Sequence, residues 1–197
     1  DMDGNPNVTA DTVRAALARH RALVLERYHR ETLELSRRLS QSSSRVSVDE
    51  AVPRRTEEYA SRFPAAFEAV PPRHRDMPYR VLLRLMAARL QATSRDEASG
   101  YASPSEFLGD LQRIATSLAN HRGALAGLFS VRRLVRRLET FGFHLATLDV
   151  RQDALVHRAG VGRLLGDPSW SERSAAERAT RLRRAIESGE PPPSAPD

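Results

Sequence analysis

Polar and apolar side chains alternate near the end of residues 141–152, and this pattern is typical of a strand with functional groups on one face. Successive side chains of a strand point to opposite faces. One face of this predicted strand is apolar and the other is polar and charged: Ala146, Leu148 and Val150 against Thr147, Asp149 and Arg151. Arg151 ends the strand, where β/α barrels place catalytic groups. Its guanidinium is a planar fork of donors that matches phosphate or carboxylate oxygens, so we predict that Arg151 binds a small anionic substrate.

Arg151 also has a structural interpretation, in which its only role is to pair with Asp149 or with an acid on a neighbouring strand. Residues two apart on one strand face lie roughly 7 Å apart, which a long side chain can bridge by bending back. The residue pattern alone leaves the binding role and the structural role about equally supported.

Three segments of the chain resemble phosphoenolpyruvate carboxylases. The segment ending in Arg151 resembles the strand that carries a substrate-binding arginine in that family. Residues 1–12 look like its Asp-Gly-Asn-Pro segment, and residues 78–80 (Pro-Tyr-Arg) resemble a further short motif. The segments stand in the family's order and at roughly its separation. Met2 is a departure, because arginine often occupies that position in the family.

The resemblance implies an enzyme that carboxylates phosphoenolpyruvate with bicarbonate to give oxaloacetate and phosphate, assisted by Mg²⁺ or Mn²⁺. It implies that Arg151 binds the substrate and that Asp149, Asp1, Asp3 and Asn5 support the site. It further implies a cytoplasmic enzyme that forms a homotetramer when intact.

Members of this family are several times longer than the 197 residues of this chain. The family's catalytic-histidine motif, its acidic metal ligands and its glycine- and arginine-rich loops do not occur in the sequence. We therefore expect an internal fragment of a bacterial-type enzyme that is inactive alone, with no catalytic residue, no bound cofactor and no metal ligand of its own. The alternative is a noncatalytic helical module that binds a protein partner or nucleic acid.

The composition is that of a folded globular protein, with 40% hydrophobic and 28% charged residues. The absence of cysteine excludes disulfides and thiolate metal sites and agrees with a reducing cytoplasm. No apolar run approaches the roughly 20 residues of a membrane span, so we expect no membrane partner.

All 31 basic residues other than histidine are arginine, and the net charge is +6. Arginine pairs are scattered among separate predicted helices, and only 6% of residues are aromatic. A nucleic-acid surface would place basic groups on one face, with aromatic rings between them for base stacking. We therefore expect no nucleic-acid partner.

Apolar periodicity predicts a mainly α fold with one or two short strands. The family resemblance implies that this is a helical fragment of a larger helix-rich β/α barrel. Residues 1–188 would form one helical region, and the proline-rich residues 189–197 a loop or disordered tail. Gly142 is expected to end the helix before the strand, and His144 to lie in the core. Ser103 and Glu106 are expected to form a capping box, and Ser169 or Ser171 to cap the last helix.

Overall fold

The computed structural model describes residues 7–149 and 151–189, and these residues are mainly helical, as predicted. The α-helices are α1 (Ala10–Arg38), α2 (Ala51–Arg62), α3 (Pro64–Glu68), α4 (Pro78–Ser94), α5 (Pro104–Asn120), α6 (Leu128–Phe141), α7 (Ala154–Leu164) and α8 (Ala175–Ser188). Short 3-10 turns lie at Pro72–His74 and Gly123–Leu125. Within the described ranges, no helix is long and apolar enough to cross a membrane.

The chain divides into two compact units. The larger unit consists of residues 14–147, and the smaller unit combines residues 1–13 with 148–197. The single helical region proposed for residues 1–188 stays a prediction, and residues 190–197 of the expected tail lie outside the described part.

The core of the larger unit is built around α4, which is buried on nearly all sides. Its buried residues are Tyr79, Val81, Leu82, Leu83, Leu85, Met86, Ala87, Arg89, Leu90, Ala92 and Thr93. A helix buried over most of its surface needs neighbours in most directions. At one end of the core, the Phe107 ring lies 6.0 Å from that of Tyr28 and 5.2 Å from that of Tyr101, between centroids. Phe143 completes this aromatic group and is buried.

The start of α5 agrees with the sequence prediction only in part. Pro104 occupies the first turn, as expected, because its missing N–H needs no partner there. The capping box is wrong: the Ser103 side chain makes no capping hydrogen bond, and the carboxylate of Glu106 binds Arg89 instead. A buried guanidinium is a stronger partner for a carboxylate than a helix-end N–H.

The predicted cap of the last helix is also wrong, because α8 starts later than Ser169 or Ser171. Ser174 is the N-cap, and its hydroxyl accepts a hydrogen bond from the Glu177 N–H at 3.3 Å. The Glu177 carboxylate in turn accepts from the Ser174 N–H at 2.9 Å. This reciprocal arrangement is a capping box, and it satisfies two N–H groups that lack partners within the helix.

Gly142 ends α6, as predicted. Its φ of 51° suits glycine, and a side chain there would meet the His144 ring at 2.7 Å. The strand expected after it is wrong for the described residues, which form turns and bends up to Ala146 and have no regular secondary structure at residues 147–149. A strand needs a neighbour to pair its backbone groups, and the described residues contain no other strand. His144 is exposed and not in the core.

Candidate functional site

Arg151 and Asp149 lie close together in the connection between α6 and α7. The Nε and Nη2 atoms of Arg151 each donate to Asp149 Oδ2 at 3.3 Å. The two side chains are 68% and 82% exposed. An ion pair this exposed contributes only about 0–1 kcal/mol. Arg151 can therefore exchange Asp149 for an anionic ligand at little cost.

The start of α7 orders the chain directly after Arg151. Asp153 is the N-cap, and its Oδ1 accepts a hydrogen bond from the Leu155 N–H at 2.7 Å. Gln152 Oε1 accepts one from the Asp153 N–H at 2.9 Å. These contacts satisfy helix-end donors without involving the guanidinium of Arg151. The local sequence thus fixes the backbone beside Arg151 while the side chain stays accessible.

Three further residues were expected to support the site, all near the start of the chain. Asp1, Asp3 and Asn5 lie outside the described residues. His157 is exposed on α7. No three histidine, aspartate or glutamate side chains in the described part of the chain are grouped so that they could hold a metal ion.

Residues 78–80, the short Pro-Tyr-Arg motif, join three helices of the larger unit. Pro78 starts α4, and the Tyr79 hydroxyl lies 2.7 Å from Ser117 Oγ on α5. Arg80 donates from Nε to the Ser36 carbonyl at 2.8 Å and from Nη2 to the Arg37 carbonyl at 3.0 Å. The last carbonyls of a helix have no partner within it, so Arg80 stabilises the end of α1.

A second cluster of polar side chains is centred on Asp110 of α5, and the sequence analysis did not predict it. Its side chain has no solvent exposure. The Tyr59 and Tyr101 hydroxyls donate to Oδ2 at 2.5 and 2.9 Å. Arg55 Nε and Arg113 Nη1 donate to Oδ1 at 2.8 and 3.0 Å. Both oxygens are fully engaged, so this carboxylate acts as an organiser of structure and not as a base.

Arg89 on α4 extends this network towards the start of α5. It donates to the Tyr59 hydroxyl, to Glu106 Oε2 and to the Gly100 carbonyl. Its guanidinium carbon lies 4.1 Å from the centre of the Tyr101 ring, where cation–π attraction adds to the hydrogen bonds. The buried positive charge is thus compensated on several sides.

Burial raises the pKa of both tyrosine hydroxyls in the network. Burial first, and then the negative charge of Asp110, raises the pKa of Tyr59 to about 12. The same two causes raise the pKa of Tyr101 well above its usual value. Both phenols therefore remain protonated at physiological pH and keep donating to the carboxylate.

The sequence does contain a signal for this network. Asp110 falls three residues after Phe107 and one before Leu111, on the apolar face that α5 buries. Arg89 falls three residues after Met86 on the fully buried α4. A charged residue on a core-facing position requires a partner, because an unpaired buried charge is strongly unfavourable. The sequence pattern therefore indicates which charged residues are buried, but it does not predict which residues they bind.

Comparison with known proteins identifies the family. The family model described as phosphoenolpyruvate carboxylase matches residues 1–194. The chain belongs to the phosphoenolpyruvate carboxylase family. The resemblance inferred from the three sequence segments is therefore confirmed.

Named relatives show how much of such a protein the chain represents. It is 46% identical over 197 residues to the phosphoenolpyruvate carboxylase of Xanthomonas euvesicatoria pv. vesicatoria, an alignment that covers 100% of this chain and 22% of that protein. Identity is 48% over 182 residues with the enzyme of Xanthomonas campestris pv. campestris, covering 92% and 20%. With that of Nocardia farcinica it is 38% over 178 residues, covering 84% and 18%. The chain spans about a fifth of the length of these relatives.

The Asp110 network generates a prediction about stability. Asp110→Asn keeps the side-chain volume but removes the negative charge beside Arg55, so it should destabilise the larger unit by about 3–5 kcal/mol in urea unfolding. The matched control is Asp96→Asn, which removes an exposed carboxylate paired with Arg21. The control should cost about 0–1 kcal/mol. Equal losses in the two variants would contradict the organising role of Asp110.

The raised pKa of Tyr59 predicts how stability depends on alkaline pH. An unfolded tyrosine loses its proton near pH 10, and folded Tyr59 only near pH 12. Between these values the unfolded state binds fewer protons, so the free energy of unfolding should fall as pH rises from about 10 to 12. Urea titrations at several pH values should show a shallower fall for Tyr59→Phe. An unchanged slope would contradict the prediction.

Proposed function

We propose that this chain is a segment of a phosphoenolpyruvate carboxylase, which converts phosphoenolpyruvate and bicarbonate to oxaloacetate and phosphate. The observation that carries the proposal is the family match over residues 1–194, together with 46% identity to a relative of that name. The chain spans about a fifth of such relatives, so the activity is proposed for the full-length protein and not for this segment alone.

Arg151 is proposed to bind the anionic groups of phosphoenolpyruvate. The substrate carries a phosphate and a carboxylate, and each presents oxygens that fit the guanidinium fork. Two features support the proposal: the Arg151 side chain is largely exposed, and its ion pair with Asp149 is long and exposed. Asp149 would orient the guanidinium before substrate binds. Asp1, Asp3 and Asn5 are proposed to support the same site.

The positive charge of Arg151 would also favour the reaction itself. Transfer of the phosphoryl group from phosphoenolpyruvate to bicarbonate breaks the bond to the enol oxygen and leaves an enolate. The carboxyl group then joins the enolate carbon, and phosphate is released. A fixed guanidinium that becomes more strongly bound as negative charge develops lowers the barrier.

The full-length enzyme is proposed to use Mg²⁺ or Mn²⁺ and to act as a homotetramer in the cytoplasm. The described residues offer no group of three acidic or histidine side chains for a metal ion. The family's catalytic-histidine motif and acidic metal ligands do not occur in this sequence, so we assign both to other parts of the full-length protein. The roles of this segment are to hold substrate and to build the helical framework.

A noncatalytic helical module that binds a protein or nucleic acid is the alternative, and the family match argues against it. The length of the native reading frame separates the two proposals. A frame several times longer than this chain, as in the relatives, supports the enzyme. A native protein that ends with this chain supports the module.

Substitution of Arg151 in the full-length enzyme tests the substrate-binding role. Arg151→Ala should lower kcat/KM by about a hundredfold or more, or roughly 3 kcal/mol of lost transition-state stabilisation. Arg151→Lys keeps the charge but loses the fork, so it should recover only part of the activity. Steady-state kinetics and thermal melting should be measured on the same preparations.

The matched control for this test is Arg163→Ala, which removes an exposed arginine from the neighbouring helix α7. It should leave kcat/KM within about twofold of wild type. Arg151→Ala should melt at nearly the wild-type temperature, because its ion pair with Asp149 is exposed. Normal kinetics in Arg151→Ala, or a loss that follows unfolding, would remove Arg151 from the active site.

The 197-residue chain by itself should have no carboxylase activity, because the metal ligands and the catalytic histidine are assigned elsewhere. Oxaloacetate formation should be measured with phosphoenolpyruvate, bicarbonate and Mg²⁺ against a control without protein. The full-length enzyme at the same molar concentration is the positive control. Product formation above the protein-free background would show that the assignment is wrong.

A further inference from the structure

Helix α8 carries an apolar stripe on its exposed surface. The stripe consists of Ala175, Ala179, Leu182 and Ile186, at successive spacings of four, three and four residues. At 3.6 residues per turn these side chains lie within about 60° of one another around the helix. All four are exposed, with Ile186 at 77%, and α8 contains no buried residue.

The flank of α8 beside the stripe is attached to its own unit by arginine side chains. Arg181 Nε lies 3.2 Å from Oδ2 of the buried Asp167. Arg178 Nη1 donates to the carbonyl of Arg173. These contacts set how the helix is rotated, and the rotation leaves the stripe exposed. The exposure of Leu182 and Ile186 is therefore a property of the packing and not of a frayed end.

A helix with this exposure lacks its main source of stability. Isolated helices shorter than about 12–15 residues are marginal in water, and helices in proteins are stabilised chiefly by packing of the apolar face. The 14 residues of α8 have a capping box and a hydrogen-bonded flank, but no packed apolar face. The regular stripe is the pattern of a helix that buries this face against another element.

We infer that the α8 stripe packs against a segment of the full-length polypeptide that lies outside this chain. The inference rests on the proposed function, in which this chain is part of a longer enzyme. The aligned relatives support this occupant, since about four fifths of their length lies outside the match. Arg183 borders the stripe and is exposed, and the ion pairs that α8 makes with Asp167 use Arg181 instead. The inferred covering segment is apolar where it meets the stripe and carries a carboxylate that meets Arg183.

Cysteine labelling of the full-length protein tests this surface. Ile186→Cys places a thiol in the stripe, and Arg184→Cys places one on the opposite face of α8 as the matched control. Each is treated with a maleimide reagent, and the labelling of the unsubstituted protein is subtracted. Ile186→Cys should react at least tenfold more slowly than Arg184→Cys in the native protein, and at the same rate in urea. Equal native rates would overturn the inference.

Further measurements identify the occupant. Protection of Ile186→Cys should be independent of protein concentration, and loss of protection on dilution would assign the stripe to a second copy instead. Arg183→Glu should increase the labelling of Ile186→Cys severalfold, and an unchanged rate would overturn the carboxylate partner. Hydrogen exchange of the unsubstituted full-length protein should show protected α8 amides, and rapid exchange along α8 would overturn the inference without any substitution.

The labelling result is independent of enzymatic activity. Protection of Ile186→Cys in a full-length protein without carboxylase activity would refute the proposed reaction and support the packed stripe. Carboxylase activity together with equal labelling of the two thiols would support the reaction and refute the packed stripe.

Discussion

The carboxylate of Asp110 has no contact with solvent, and the arrangement of the larger unit depends on giving it enough hydrogen-bond donors. Two donors come from Arg55 and Tyr59 on α2, one from Arg113 on α5 itself and one from Tyr101 in the connection before α5. Each of these hydrogen bonds requires a particular distance and direction between donor and acceptor, and not only that the two side chains are near each other. Apolar packing against α4 favours many similar arrangements of these helices, whereas the carboxylate is satisfied in few of them.

The same requirement accounts for features that would otherwise look unrelated. Arg89 can be buried because it binds Tyr59 and Glu106. Glu106 therefore does not form the capping box that its sequence position suggests. The raised pKa of Tyr59 follows from burial beside a negative charge. Removing Asp110 leaves the buried hydroxyls of Tyr59 and Tyr101 without this acceptor, so we expect the network to depend on the carboxylate.

Arg151 has the opposite environment, since it is exposed and its partner Asp149 is weakly held. The binding role proposed for Arg151 requires it to release Asp149 for a substrate anion, and an exposed, weak ion pair favours that exchange. The exposed α8 stripe agrees with the inference that the smaller unit packs against other parts of a longer protein. The described part of the larger unit has a packed helical core, whereas the active site proposed above is assigned in part to residues outside this chain.

The sequence by itself determined the family, the helical class and several helix boundaries, because motif residues, apolar periodicity, Pro78, Pro104 and Gly142 act locally. It also placed Arg151 beside Asp149, two positions apart. Only the tertiary structure decided that Glu106 binds Arg89 instead of capping α5, and that four donors converge on Asp110. The prediction of a strand before Arg151 is wrong for the same reason. Strand pairing and buried ion pairs depend on residues distant in the chain, and no local pattern specifies which of them will meet.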